Sequence, residues 1–414
     1  MIQQESVEEY ELEIRSLVYG GTGISRLPDG RAVFIPFVLP GERVLARVVK
    51  RNKSYASGQV LKILTPSPDR IAPRCVHFGA CGGCHYQHIP YARQLEFKKH
   101  ILGEQLQRLG GIKNPPISKV IACPQPWNYR NVLQFHLTEN GKLAFLRTDS
   151  SILLEISECH LPMESISQLW QQLDLGPMPE MERIELRQGA EDEILLILHS
   201  SSGALPELVC DLPISIVHKS PGSSVVLVGN EHITMQVKDK TFQLSAGSFF
   251  QVNNYIAEKL VELLLDKLVY DNNSVLMDIY AGVGLFSAFF APHVAQIIAV
   301  ESVPETCEDF IHNLDAFSNV SLYQGAAREV LPQLDVKPDV VIIDPPRAGI
   351  HRKALDALVQ LAPTQIAYVS CDPAILARDA KRLFRAGYIL TESILCDMFP
   401  QTYHIESLNM FQKQ

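Results

Sequence analysis

The strongest constraint on the fold lies in the last third of this 414-residue chain. Four short apolar runs there, Val275 to Ile279, Ile297 to Val300, Val340 to Ile343 and Ile366 to Val369, alternate with longer helical segments from Phe249 onward. Strands alternating with helices wind into a mostly parallel sheet with helices on both faces, so the fold class is α/β. Ligands of such sheets sit beyond the carboxyl ends of the strands, and the residues that follow each run are the ones to read for chemistry.

The first run continues as Asp278-Ile279-Tyr280-Ala281-Gly282-Val283-Gly284, an acidic strand end and a glycine-bearing turn that lets backbone approach a ligand. The second run ends in Glu301, placed to accept hydrogen bonds from ribose hydroxyls. A dinucleotide site is the rival, but the order G-x-G-x-x-G is absent because position 287 is Ser. A Rossmann-like class I methyltransferase domain fits better. The third run ends Asp344-Pro345-Pro346-Arg347-Ala348-Gly349, whose prolines fix a rigid turn and leave Asp344 projecting into the cleft. Methyltransferases acting on exocyclic adenine nitrogens have an aromatic residue after the two prolines, and Arg347 disfavours that chemistry. The fourth run leads into Ser370-Cys371-Asp372-Pro373, and His404-Ile405-Glu406-Ser407 follows later. Taken singly, Cys371 reads as a packing residue and Glu406 as a surface charge.

Together with Phe249-Phe250-Gln251-Val252-Asn253, these segments stand in the order seen in the RNA (uracil-5-)-methyltransferases, a family the chain resembles over essentially its whole length. The resemblance implies methyl transfer from S-adenosyl-L-methionine to C5 of a uridine. It makes Gln251, Tyr280, Glu301 and Asp344 the cofactor-binding residues, Cys371 the nucleophile, Glu406 the proton acceptor, and Phe249 the residue lying against the flipped uracil. C5 of uracil is a poor nucleophile, so a thiolate must first add at C6, and a base must remove the C5 proton before the cysteine can leave. Two positions depart from the family: Asp372 stands where relatives often have Asn, and Leu285 follows Gly284 where relatives can carry Asn.

Upstream, residues 8 to 64 alternate apolar and polar in short runs broken by Gly20-Gly21, Pro28-Asp29-Gly30 and Pro40-Gly41, the pattern of a small β-barrel. Gly20 to Arg26 and Val33 to Glu42 resemble a TRAM domain, an OB-like RNA-binding barrel. Thr65 to Pro73 reads as a linker, and Tyr91 to Gly110 as an amphipathic helix closed by Gly110-Gly111. Strand-like runs between Ile121 and Leu244 make a β-rich middle domain. The expected organisation is therefore a barrel over 1–65, a middle domain over 66–248 whose residues 91–118 form a helix packing on the catalytic domain, and a methyltransferase domain over 249–414.

Charge and cysteines extend this picture. Between Arg43 and Arg130 there are 15 Lys and Arg against three acids, in a chain of net charge −9. Such asymmetry suits a phosphate backbone, a solvated face being the bland alternative. Cys75, Cys81 and Cys84, with Cys159 far downstream, suit either zinc or a [4Fe-4S] cluster, and spacing alone leaves both open. The same spacing in 23S rRNA uracil-5-methyltransferases implies the iron-sulfur cluster in the middle domain and favours 23S rRNA as substrate, with a tRNA T-loop uridine as the alternative. A non-catalytic RNA-binding protein on a degenerate methyltransferase fold is the further alternative. No apolar run reaches the roughly 18 residues of a membrane span and no signal-peptide layout opens the chain, so a cytoplasmic monomer with no membrane contact is expected.

Overall fold

From Glu9 to Thr65 inward-facing positions alternate with outward ones, and Leu12, Ile14, Val33, Ile35, Val44, Ala46 and Ala56 are buried together. The computed structural model, which describes residues 8–148 and 150–414, folds this stretch into six strands, Glu9–Glu13, Ser16–Val18, Thr22–Arg26, Ala32–Pro36, Arg43–Arg51 and Tyr55–Thr65. Register shifts along the last two bend the sheet, as bulges do. Glu42 is buried, and its carboxylate accepts hydrogen bonds from the backbone N–H of Leu39 and Ser67 and from the Arg70 guanidinium. Burial works to raise its pKa, but the Arg70 guanidinium and those two amides hold it below the ordinary carboxylate value.

The basic surplus read from the sequence is partly neutralised here. Arg43 pairs with Glu11 at 3.1 Å, Arg47 with Glu9 at 2.9 Å, and Arg51 with Glu8 and Asp29. The acids come from the strand and turn just upstream of Arg43, outside the window in which the surplus was counted. Antiparallel pairing of Glu9–Glu13 with Arg43–Arg51 puts Glu9 opposite Arg47 and Glu13 opposite Arg43, where opposite charges attract across the strands.

One structural unit holds the residues up to Ile101 with Leu146–Leu154 and Phe399–His404; the other holds Leu102–Phe145, Glu155–Met398 and Ile405–Gln414. The helix that the apolar spacing requires runs Tyr91–Arg108 and ends before Gly111, whose φ of +77° suits a glycine after a helix end. In the second unit the strands Val132–Leu137, Met181–Gln188, Ile194–Ser200, Ser215–Ser220 and Ser223–Val228 lie side by side in that order. The eight-stranded sheet runs Val320–Gln324, Gln296–Glu301, Val275–Ile279, Val340–Ile343, Gln365–Ser370, Glu406–Lys413, Tyr388–Cys396 and Ile117–Ile121. Its first five strands are parallel, and the middle ones are apolar where they cross the core except for the buried Asp278 and Ser370 near their carboxyl ends. The strand Glu406–Lys413 returns antiparallel between two neighbours, so the sheet is mixed. No helix among the described residues is long and apolar enough to cross a membrane.

Candidate active site

Strand register brings the sequence-predicted residues to one edge of the sheet. Ile279 lies opposite Val300 on one side and Ile343 on the other, so Tyr280, Glu301 and Asp344 emerge together at the carboxyl ends of three parallel strands. One strand further, Ser370 lies opposite Ser407 in an antiparallel pair. Cys371 follows Ser370 and Glu406 precedes Ser407, so both leave that pair at the same end. The antiparallel return of the last strand is what places a late residue beside an earlier one.

The first turn is held by backbone. Tyr280 and Ala281 donate their N–H groups to Val300 O at 2.9 and 3.1 Å, with Tyr280 at φ +64°, an uncommon conformation for a non-glycine residue. Gly284, at φ +91°, begins the helix Leu285–Phe290 where an added Cβ would stand 2.1 Å from Leu314 Cδ1. Leu285 is buried at the first position of that helix. Ser287, the residue that breaks the dinucleotide fingerprint, donates its hydroxyl to Asp278 Oδ2 at 2.7 Å. One Glu301 oxygen accepts from the Gly282 N–H at 3.0 Å and the other from the Ser302 and Val303 N–H groups. A carboxylate offers about four lone-pair positions, so capacity for a hydroxyl remains.

Gln251 reaches Asp344 from another segment, its amide Nε2 donating to Asp344 Oδ2 at 2.9 Å. Asn131 anchors that segment, its side-chain amide donating to Gln251 O at 2.9 Å and its backbone N–H to Val252 O at 3.1 Å. Phe249 is 64% exposed while Phe250 packs on a core of Leu195, Ile197, Val217, Ile233, Met235 and Leu244. After the strand Val340–Ile343, the turn is tied to the helix Pro373–Arg385: Asp379 accepts from the Ile350 N–H and the Tyr368 hydroxyl, and Arg378 donates to Ala348 O. Asp372 caps this helix by accepting from the N–H groups of Ala374 and Ile375 at 2.9 and 3.0 Å. Asn and Asp cap equally well, which accounts for the departure at this position.

Carboxylates crowd this edge and raise one another. Burial, and then the Glu406 and Asp344 carboxylates, push the Cys371 thiol up to about 12, with Arg347 opposing. Burial and Asp344 likewise raise Glu406 well above the ordinary carboxylate value, again against Arg347. Asp344 is pushed to about 7 by burial and Asp278 against the Gln251 hydrogen bond, and Asp278 to about 6 by burial first. An edge so short of positive charge suits a cation.

Tyr403 and His404, sequence neighbours of Glu406, lie in the first unit. There Tyr403 packs against Tyr19, His85 and His404 at ring distances of 5.7, 4.6 and 4.4 Å. Cys75, Cys81 and Cys84 belong to that unit and Cys159 to the other. Among the described residues no group of three or more His, Cys, Asp or Glu side chains stands where it could hold a metal ion. Sequence reasoning passed over Asn131, Asp309, Arg187 and Asp379; each sits in a stretch without motif, and its partners lie up to 123 residues away.

A family model described as tRNA (Uracil-5-)-methyltransferase matches residues 200–414, and one described as TRAM domain matches residues 3–61. An uncharacterized RNA methyltransferase of Aquifex aeolicus is 34% identical over 420 residues, covering 97% of this chain and 98% of that protein. Another from Streptomyces avermitilis is 31% identical over 426 residues, covering 98% of each. Among solved structures, the Pyrococcus abyssi tRNA (uracil-54, C5)-methyltransferase in complex with S-adenosyl-L-homocysteine superposes with a TM-score of 0.72 at 25% identity, covering 97% of this chain and 100% of that one.

Proposed function

The chain belongs to the tRNA (uracil-5-)-methyltransferase family, and from that premise we propose how its residues carry out the reaction. It is an S-adenosylmethionine-dependent RNA (uracil-5-)-methyltransferase with an N-terminal TRAM domain and a class I methyltransferase fold. In the proposal Cys371 Sγ, having lost its proton, bonds to C6 of the uracil, and the C5=C6 electron pair becomes an enolate able to take a methyl group at C5. Glu406 then accepts the C5 proton, the C5=C6 bond re-forms, and Sγ departs with its bonding pair. When bound, S-adenosylmethionine supplies the electrophilic methyl group, and Gln251, Tyr280, Glu301 and Asp344 hold it. Phe249 lies against a uracil drawn out of its stack.

The observation that most supports this reading is the shared exit of Cys371 and Glu406 from one antiparallel strand pair. Burial and neighbouring carboxylates favour the protonated form of both, and a cation near Asp344 opposes both shifts. The test is tritium release from 5-[³H]-uridine RNA. We expect release by the parent chain, none from Cys371→Ala, and a denaturant-resistant protein-RNA adduct from Glu406→Gln. An unshifted band with Glu406→Gln removes that residue from the role of base.

For the substrate we infer 23S rRNA, supported by the barrel and the cysteine spacing. The tRNA T-loop reading is favoured by the likeness to the Pyrococcus abyssi enzyme. Mapping 5-methyluridine in both RNAs from cells with and without this chain decides between them. A [4Fe-4S] cluster on Cys75, Cys81, Cys84 and Cys159 is proposed from the resemblance of their spacing to that of the 23S rRNA uracil-5-methyltransferases, zinc being the alternative that spacing leaves open, and no step runs through it. Iron assay after anaerobic purification tests it, with about four irons per chain expected of such a cluster. A cytoplasmic monomer completes the proposal, and size-exclusion chromatography tests the second half of it.

A further inference from the structure

The segment that carries Phe249 and Gln251 is gripped from two sides before it reaches either residue. On one side, Asp309 of the helix Pro304–Leu314 is fully buried. Its carboxylate accepts from the Ser245 N–H at 2.8 Å, from the Ser245 hydroxyl at 2.7 Å, from the Ser248 hydroxyl and from the Gln243 amide. On the other side, Arg187 of the strand Met181–Gln188 donates one guanidinium nitrogen to both Ser245 O at 3.2 Å and Ser248 O at 2.6 Å. Arg187 is itself oriented by Glu185, which is buried and also accepts from Gln134 and His199. Gly247, between the two serines, leaves no room for a Cβ beside the Lys219–Glu305 ion pair. A surface turn would need none of this: two charged groups from separate elements, Asp309 and Arg187, converge on the four residues 245–248, and the next side chain out is the exposed Phe249.

We propose that Arg187, oriented by Glu185, is a positioning residue that fixes the Ser245–Ser248 turn and thereby the placement of Phe249 against the target base. The middle sheet thus acts on the reaction through this turn. The inference rests on the reading of Phe249 as the base-facing residue. Arg187 touches neither base nor cofactor in this account. Removing it frees two carbonyls and loosens Phe249, while Gln251 stays tied through Asn131 and Asp344.

The experiment uses the full chain with Arg187→Met and Arg187→Lys. Hydrogen-deuterium exchange is read first, because it needs no activity. For Arg187→Met we expect exchange in the 245–250 peptide at least tenfold faster, with the peptides of the catalytic strands unchanged. Kinetics come second: KM for RNA rises at least tenfold, the S-adenosylhomocysteine Kd stays within threefold, and Arg187→Lys recovers part of the RNA affinity. Unchanged exchange in that peptide overturns the proposal, as does changed exchange with RNA kinetics within twofold of the parent. Loss of cofactor affinity in step with RNA affinity, or general acceleration of exchange, also overturns it by showing a merely structural role. If the parent chain methylates no RNA, the functional reading fails instead, and exchange with S-adenosylhomocysteine bound still decides whether Arg187 holds the turn.

Discussion

At the scale of single residues, the cleft is set by carboxylates that resist ionising. Asp344 is the clearest case, because burial and Asp278 push it to about 7. Its raised value means that its contribution to stability is present below the ordinary carboxylate range and is lost as pH rises through 7. Thermal unfolding of the ligand-free protein should therefore show a decline in stability between pH 4 and 7 that Asp344→Asn makes shallower, Asp278 and Glu406 supplying the rest; a variant with the same decline as the parent would contradict this. Ligand binding runs the other way. A cationic methyl donor favours the ionised carboxylate, so affinity is lost as pH falls below 7. Titration calorimetry should give binding about tenfold weaker at pH 5.5 than at pH 7, and Asp344→Asn should flatten that slope. Arg347 is the cation that opposes the raised values of Cys371 and Glu406. Arg347→Gln should lower turnover at pH 7 by tenfold or more and lose less at pH 9, where deprotonating the thiol costs less; equal losses at both pH values would show that Arg347 acts otherwise.

At the scale of elements, what could be read from sequence was whatever repeats locally. The four apolar runs became parallel strands because short branched runs bounded by turns can be recognised without their partners. What could not be read was pairing at a distance. The antiparallel insertion of Glu406–Lys413 beside Gln365–Ser370 decides that Glu406 shares an edge with Cys371, and the His404 to Ser407 segment carries no sign of which strand it joins. The same holds for Asp309 and Arg187, which meet their serines across 64 and 58 residues. A buried acid in a helix reads as an ordinary polar residue until its partners are known. Asp372 falls between these cases, since a strand, an Asp and a Pro announce a helix start. Its cap predicts that Asp372→Ala costs about 1 kcal/mol of stability. Asp372→Asn should stay within a few tenths of that scale of the parent and keep activity within twofold. Denaturant titration of both variants measures this, and equal losses would mean that charge, not capping, is the role of Asp372.

At the scale of the whole molecule, the question is how much of the basic surplus meets RNA. At least five of the fifteen basic residues between Arg43 and Arg130, namely Arg43, Arg47, Arg51, Arg70 and Arg93, already face carboxylates. A guanidinium so paired gains little by trading its partner for a phosphate, because the attraction it forms replaces one it gives up. The remaining ten at most can release counterions. Single-stranded RNA contributes a slope of roughly −0.7 per neutralised phosphate in log K against log salt, so if this stretch carries the phosphate contacts the slope should be no steeper than about −7. Substitutions sort the residues further. Lys50→Gln, near the exposed end of the strand Arg43–Arg51, and Lys53→Gln, in the turn that follows it, should each flatten the slope by about 0.7 if they touch phosphate. Arg47→Gln, which releases Glu9 rather than a phosphate, should leave the slope unchanged while weakening binding, because an unpaired carboxylate then faces the RNA. Fluorescence anisotropy of a labelled uridine-containing hairpin across 50 to 200 mM salt reads all three. A slope well beyond −7, or a flattening by Arg47→Gln equal to that of the lysines, would mean that the intramolecular pairs open on binding and that the full surplus is spent on the RNA.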